Sequence, residues 1–212
     1  SIQEIGKSCD VIFLAVKPQD LSSALAELSH TLSSDSLLIS IAAGKTTKFI
    51  ESQLKTGNSV IRVMPNTPAQ IGKGVSAISP GKNTSSADLT LAKNLLSASG
   101  IVVEVSEDDQ DAVTALSGSG PAYFFSFIEA MVSAGVKLGL TNEIATQLAI
   151  GTISGSAAML KESGLDATTL RKNVTSPNGT TAAALSVFTD KDLEKIVFDA
   201  MAAAKKRAQE LA

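Results

Sequence analysis

Three short apolar runs decide the fold: VIFLAV at residues 11–16, SLLISIA at residues 36–42 and VIRVMP at residues 60–65. Continuous apolar runs of this length, bounded by Pro, Gly or charged residues, are typical of strands buried on both faces of a parallel sheet. The segments between them, residues 20–30 and 46–54, carry apolar residues at helical spacing. This alternation predicts an α/β fold with a doubly wound parallel sheet, which binds ligands where its strands end.

The sheet continues along the chain, and then the pattern changes. GVSAIS at residues 74–79 and IVVEV at residues 101–105 predict two further strands, with a helix over residues 85–99 between them. After the fifth strand no strand-like run remains, and helical patterns follow to the end of the chain. We therefore expect a sheet domain over residues 1–107 and an all-helical domain over residues 108–212.

Composition excludes several classes of protein. Of the 212 residues, 44% are hydrophobic and 18% are charged, which argues against a disordered chain. A formal net charge of −3 lacks the basic excess of a nucleic-acid binder. Cys9 and His30 are the single residues of their types, so we expect neither a disulfide framework nor a metal site. No apolar run reaches the length of a membrane span. We expect a cytoplasmic protein with no membrane or nucleic-acid partner.

Polar residues at two strand ends suggest a ligand site, although each has an ordinary explanation. Lys17 closes the first strand, where it can meet an anionic group or simply be solvated. Asn66 and Thr67 lie between two prolines after the third strand, where they are presented to a ligand or form a rigid turn. SGSGPA at residues 117–122 resembles a phosphate-binding loop, but a tight bend for close packing explains its glycines better.

Two further segments carry polar groups. TSPNGTT at residues 175–181 gathers hydroxyl and N–H groups before a predicted helix, a pattern that binds a carboxylate or forms an ordinary capping loop. The carboxylates from Glu107 to Asp111 are typical of a solvated linker that leads into a helix.

The order of five motifs is far more specific than any one of them. They are LAVKPQDL at residues 14–21, ISIAAG at 39–44, IRVMPNTPAQIGKG at 61–74, DAVTALSGSGPAYFF at 111–125 and KNVTSPNGTTAAAL at 172–185. Together they closely resemble the Δ1-pyrroline-5-carboxylate reductase family, which reduces a cyclic imine to L-proline with a nicotinamide cofactor in the final step of proline biosynthesis. The resemblance covers almost the whole chain.

This resemblance implies a fold, a cofactor, a substrate and a partner. The fold would be a partial Rossmann-type parallel-sheet domain followed by an all-α dimerisation domain, in a homodimer that can assemble further into a ring. The cofactor would be NADPH or NADH, bound by Ala15, Val16, Lys17, Pro18, Ala42, Ala43, Asn66, Thr67 and Asn173. The substrate would be bound by Ser176, Gly179, Thr180, Thr181 and Glu107. Thr181 would be the catalytic residue, with its hydroxyl on the ring nitrogen.

The chain departs from the family pattern in two places. Asn178-Gly179 stands where the family has two glycines, and Asn tolerates left-handed backbone geometry better than most residues. The strand, glycine-rich turn and helix with which the family begins are missing. We therefore expect a piece of a complete reductase, and the sequence leaves open whether this piece is active alone. The choice between NADP and NAD depends on the missing region.

Two other functions stay open at this stage. Another two-domain dehydrogenase, of the 6-phosphogluconate or hydroxyacid type, would use a catalytic lysine in its helical domain, for which Lys137 is the candidate. A non-catalytic dimerisation module would bind no cofactor.

Overall fold

The computed structural model describes residues 1–211. Ala212, the last residue of the expected helical domain, lies outside the described residues. The chain divides into two compact units. One holds Ser1–Pro121 together with the residues from Met201 onward, and the other holds Ala122–Ala200. The expected boundary between residues 107 and 108 separates a cofactor-binding domain from a dimerisation and substrate-binding domain. That division by function stays a prediction.

The first unit is a five-stranded sheet with helices on both faces. Its strands are β1 (Val11–Leu14), β2 (Leu37–Ser40), β3 (Val60–Met64), β4 (Gly74–Pro80) and β5 (Gly100–Glu104), side by side in that order. Its helices are α1 (Ile2–Ser8), α2 (Leu21–Leu28), α3 (Thr47–Gln53), α4 (Ser86–Ser97) and α5 (Gln110–Val113). The five expected strands and the expected α/β class are confirmed.

One strand pairing differs from the expected parallel sheet. β1, β2 and β3 are parallel neighbours, and so are β4 and β5. β3 and β4 are antiparallel, with Arg62 opposite Ser79. Only residues 65–73 connect these two strands, and a parallel connection needs a dozen residues or more to cross back over the sheet. The short connection therefore forces the chain to turn back on itself.

The core lies on both faces of the sheet. All four residues of β2 are buried, as expected for a strand covered on two sides. One face packs on α2 and α3 through Ile12, Leu14, Leu21, Leu25, Leu28, Leu38, Ile50 and Val60. The other packs on α4 through Leu37, Ile39, Ile61, Val63, Ile78, Ala92 and Leu96. Each fully buried Leu or Ile contributes about 1.5–3 kcal/mol, so this double layer stabilises the sheet from which the strand ends emerge.

The rest of the chain is helical. The helices are α6 (Gly120–Lys137), α7 (Asn142–Glu162), α8 (Ala167–Asn173), α9 (Thr180–Asp190) and α10 (Leu193–Glu210). Two helix starts match their sequence signals: the side chains of Thr141 and Asp166 accept hydrogen bonds from the N–H groups of Ile144 and Thr169.

The second unit leaves its apolar side chains largely exposed. Within residues 122–200, which the structure describes completely, the buried apolar residues are the small Ala145 and Ala149. Phe125 is 64% exposed and Leu148 is 57% exposed. Apolar surface of this extent is typical of a protein interface. Over residues 1–211, no helix is both long enough and apolar enough to cross a membrane.

Candidate active site

The carboxyl ends of the three parallel strands meet at one edge of the sheet. Leu14, at the end of β1, lies beside Ser40, at the end of β2, and Ser40 lies beside Arg62 of β3. The chain therefore leaves these strands through three neighbouring segments, residues 15–18, 41–46 and 65–67, which we call the edge loops. They contain eight of the nine residues expected to bind the cofactor.

The edge loops present a consistent set of groups. Ala15, Val16, Lys17, Ala43 and Thr67 are exposed. The small apolar side chains let a ligand approach the backbone closely, Lys17 supplies a positive charge and Thr67 supplies a hydroxyl. A dinucleotide has flat rings, ribose hydroxyls and a negatively charged pyrophosphate. Apolar contacts, a hydroxyl and a positive charge are the groups that would bind these parts.

Two other residues expected to bind the cofactor, Pro18 and Ala42, are less exposed than their neighbours in the edge loops. Pro18 begins a short 3₁₀ turn directly after Lys17. Ala42 is buried, and its N–H donates a hydrogen bond to the Ser40 hydroxyl at 3.3 Å. Their side chains therefore shape the loops, while the neighbouring residues are exposed.

Asn66 fixes the third edge loop. Its Nδ2 donates to the carbonyl of Ser117 at 3.1 Å, and its Oδ1 accepts from the N–H of Val75 at 2.8 Å. Ser117 belongs to a π-helical turn, Thr114–Gly118, and such turns are frequent at functional sites. A Cβ at Gly118 would lie 2.5 Å from the Cε of Met64, so the glycine permits this close approach. Sequence reasoning predicted close packing here, but neither hydrogen bond.

A buried ion pair lies under the second edge loop. Arg62 is 4% exposed, and its Nη1 lies 2.9 Å from Oε1 of Glu107. Its Nη2 lies 3.9 Å from Oδ1 of Asp111. The carboxylate of Glu107 also accepts hydrogen bonds from the N–H and Oγ1 of Thr47, both at 3.3 Å.

The interpretation of residues 107–111 as a solvated linker that leads into a helix is therefore wrong for Glu107, which is bound to Arg62 and Thr47, whereas Asp111 does lie in the first turn of α5. The signal that could have found the pair is Arg62 itself, because a charge inside an apolar strand needs an opposite charge. The expectation that Glu107 lies near the substrate stays a prediction.

The start of α9 brings the expected substrate residues together in the second unit. Asn178 has φ +61°, which agrees with its expected tolerance of left-handed geometry. The N–H of Gly179 donates to the carbonyl of Ser176 at 3.0 Å, and a Cβ at Gly179 would collide with Oγ of Ser176. The Ser176 hydroxyl could rotate away from such a Cβ, but the carbonyl oxygen of Ser176 would still lie 3.1 Å from it, so this position is tight for a larger residue.

Gly179 is the N-cap of α9, and it has no side chain to accept the free N–H groups of the first helical turn. The hydroxyls of Ser176 and Thr180 are exposed and that of Thr181 belongs to a partly buried residue. N–H donors, hydroxyls and the positive end of the helix dipole together suit an anion such as a carboxylate. Asn173, the ninth residue expected to bind the cofactor, ends α8 and is exposed.

The other residues singled out from the sequence, Cys9 and Lys137, lie away from the start of α9 along the chain. Cys9 packs, partly buried, against the core on the α2 face. Lys137 is the last residue of α6. Among residues 1–211, no three His, Cys, Asp or Glu side chains are grouped so that they could hold a metal ion.

Comparison with known proteins finds a family match in each part of the chain. Residues 107–211 match the family described as pyrroline-5-carboxylate reductase dimerisation, and residues 1–44 match that described as NADP oxidoreductase, coenzyme F420-dependent. A pyrroline-5-carboxylate reductase from Corynebacterium melassecola is 42% identical over 95% of this chain and 76% of its own length.

Solved structures agree with the sequence relatives. A pyrroline carboxylate reductase from Plasmodium falciparum with NADP bound superimposes with a TM-score of 0.91 at 36% identity, over 100% of this chain and 80% of that one. The enzyme from Coxiella burnetii has a TM-score of 0.94 at 37% identity, over 100% and 79%. The chain therefore belongs to the pyrroline-5-carboxylate reductase family.

Proposed function

We propose that this chain reduces 1-pyrroline-5-carboxylate to L-proline with NADPH or NADH, the final step of proline biosynthesis. The observation that carries the proposal is the start of α9. The N-cap Gly179 has no side chain to bond the first N–H groups of the helix, and three hydroxyl groups belong to the same segment, those of Ser176, Thr180 and Thr181. Membership of the family supports the reaction, and the NADP bound to the Plasmodium relative supports the cofactor.

The edge loops hold the cofactor in this proposal. Ala15, Val16, Ala42 and Ala43 give it close contact with the backbone, and Lys17 is available to its negative charges. Pro18 fixes the first loop, Asn66 and Thr67 lie at the nicotinamide end, and Asn173 adds a contact from α8. When bound, the cofactor supplies a hydride for the imine carbon.

The loop before α9 and the first turn of that helix bind the substrate. The N–H groups of Thr180 and Thr181 donate to its carboxylate, and the hydroxyl of Ser176 adds a further donor. The Thr181 hydroxyl hydrogen-bonds the ring nitrogen, which orients the imine and makes Thr181 the catalytic residue. A protonated imine is already a strong electrophile, so the protein contributes placement and electrostatics. In this proposal residues 1–107 serve the cofactor and residues 108–212 serve the substrate and the dimer.

The assembly follows from the same domain. The match to a dimerisation family and the exposed apolar helices of the second unit indicate a homodimer. We propose that dimers assemble further into a ring and that the enzyme works in the cytoplasm, without nucleic-acid or membrane partners. Sedimentation velocity separates a dimer from a ring directly.

Substrate profiling tests the proposed reaction against its nearest rival. We expect oxidation of NADPH or NADH with 1-pyrroline-5-carboxylate, and no nicotinamide reduction with 6-phosphogluconate or simple hydroxyacids. Turnover of a hydroxyacid without turnover of the imine would instead assign the reaction to the dehydrogenases that use a lysine such as Lys137.

A further inference from the structure

The second edge loop, residues 41–46, begins next to Arg62 in the sheet and ends at Thr47, which is hydrogen-bonded to the ion-pair partner of Arg62. At its start, Ser40 lies beside Arg62 in the sheet and accepts from the N–H of Ala42. At its end, Thr47 donates two hydrogen bonds to Glu107, which is held in turn by Arg62. The Arg62–Glu107 ion pair therefore acts directly on the end of the loop, while the start of the loop is held by the sheet.

The hydrogen-bonding capacity of Glu107 is largely used within this cluster. Its Oε1 accepts from Nη1 of Arg62 and from the N–H of Thr47, and its Oε2 accepts from Oγ1 of Thr47. The guanidinium of Arg62 is buried and has one close carboxylate partner. Moving that carboxylate away would leave a buried charge unpaired, which is strongly destabilising. Glu107 is therefore oriented towards α3 and β3.

The segment between the two fixed points is short and exposed at its tip. Ala43 is exposed, Gly44 has φ +74°, and the hydroxyl of Thr46 accepts from the N–H of Phe49 at the start of α3. A shift of Thr47 would therefore move the small residues that contact a dinucleotide in the proposed function.

We propose that Arg62, Glu107 and Thr47 act together as positioning residues that hold the second edge loop in its cofactor-binding conformation. Glu107 acts on this loop through Thr47. This inference rests on the proposed function, because that function assigns Ala42 and Ala43 to the cofactor. It gives a role to Thr47, which lies outside the five motifs, and to Arg62, which lies within one of them but had no assigned role.

The test is direct calorimetric titration of the enzyme with NADPH in the absence of imine. Thr47→Val keeps the shape of the side chain and removes the hydroxyl bonded to Glu107, and we expect the Kd for NADPH to rise about 5- to 10-fold. Thr47→Ser restores the hydroxyl, and its Kd should lie within about 2-fold of the wild-type value. Glu107→Gln, which keeps the shape but not the charge, should weaken NADPH binding in the same direction.

Thr84→Val is the matched control. It removes a hydroxyl that donates to the carbonyl of Val60 at 2.8 Å, at the opposite end of β3 from the edge loops. Both valine variants lose a hydrogen bond of the sheet unit, but the Kd for NADPH should rise only in Thr47→Val. An equal rise in both would overturn the inference, because it would show a general structural effect.

Two further results separate the inference from the proposed function. If Thr47→Val and Glu107→Gln raise the KM for the imine while the Kd for NADPH stays unchanged, Glu107 touches the substrate and the inference is wrong. If the wild-type enzyme binds NADPH and does not reduce the imine, the proposed function fails, while the comparison of NADPH affinities still decides the inference.

Discussion

The side-chain amide of Asn66 joins two segments of the sheet unit: its Nδ2 lies 3.1 Å from the carbonyl oxygen of Ser117, in the π-helical turn before α6. On its other side, Oδ1 accepts from the N–H of Val75 in β4. The third edge loop is thereby fixed between β4 and the turn, while Thr67 stays exposed. The amide keeps one N–H and one lone pair for a ligand, so the proposed cofactor contact is compatible with this bridge.

Replacing Asn66 should destabilise the sheet unit. Asn66→Ala leaves the carbonyl of Ser117 and the N–H of Val75 without these partners, and we expect a loss of about 1–3 kcal/mol in the free energy of unfolding. Asn66→Asp keeps the acceptor for Val75 but sets a carboxylate oxygen against the carbonyl oxygen of Ser117, so it should not recover the lost stability. Urea denaturation measures both values.

Asn94→Ala provides the comparison for that experiment. Asn94 is exposed on α4, and its removal should change the unfolding free energy by less than about 0.5 kcal/mol. If Asn66→Ala is no more destabilising than Asn94→Ala, the bridge to Ser117 contributes nothing to stability.

Thr181 carries the chemistry in the proposed site. Thr181→Ala removes the hydroxyl assigned to the ring nitrogen, and kcat/KM for the imine should fall about 10- to 100-fold, which corresponds to roughly 1–3 kcal/mol of transition-state stabilisation. Thr181→Ser should recover most of the activity, because it restores the hydroxyl. Steady-state kinetics provide the values.

Thr189→Ala is the control on the same helix. Its hydroxyl donates to the carbonyl of Leu185 near the far end of α9, so kcat/KM should stay within about 2-fold of wild type. Unchanged kcat/KM in Thr181→Ala would remove Thr181 from the catalytic role.

The hydrogen bonds of Asp88 predict that the stability of the sheet unit depends on pH. Partial burial raises the pKa of Asp88, but hydrogen bonds from Ser85 and Ser59 outweigh it and hold the pKa below its usual 3.8. A carboxyl group whose pKa is lowered by folding stabilises the protein above its unfolded-state pKa, and this stabilisation is lost as the pH falls through the folded-state pKa. The loss should therefore appear below about pH 4.

Denaturation of Asp88→Asn at about pH 6 and about pH 3 measures this contribution. The wild-type protein should lose more stability than the variant between the two values, and Ser59→Ala should lie between them. Equal losses in wild type and Asp88→Asn would show that the carboxylate makes no net contribution in this range.

The strands could be predicted from the sequence because burial on both faces leaves a continuous apolar run, as in β2. The orientation of β4 was predicted wrongly, because the composition of a strand does not indicate its direction. The signal lay in the short connection of residues 65–73, which excludes a parallel crossover. The loop before α9 was predictable for a different reason: Asn178 is a residue type that tolerates the left-handed backbone geometry found there.

The polar clusters of the sheet unit were not predictable in the same way. Arg62 and Glu107 are 45 positions apart, and Asn66 and Ser117 are 51 apart. No local pattern joins such partners, because the pairing is created by the fold. The buried charge of Arg62 predicts that a partner exists, but it does not identify Glu107.

The central claim is that the carboxylate of a cyclic imine is bound at the start of α9. Comparing kcat/KM for 1-pyrroline-5-carboxylate with that for 1-pyrroline, which lacks the carboxylate, tests it most directly. We predict that 1-pyrroline-5-carboxylate gives L-proline. For 1-pyrroline, kcat/KM should be at least about 100-fold lower, because without a carboxylate the N–H groups at the start of α9 are left unpaired. Equal values for the two imines, or no reduction of either, would contradict the account.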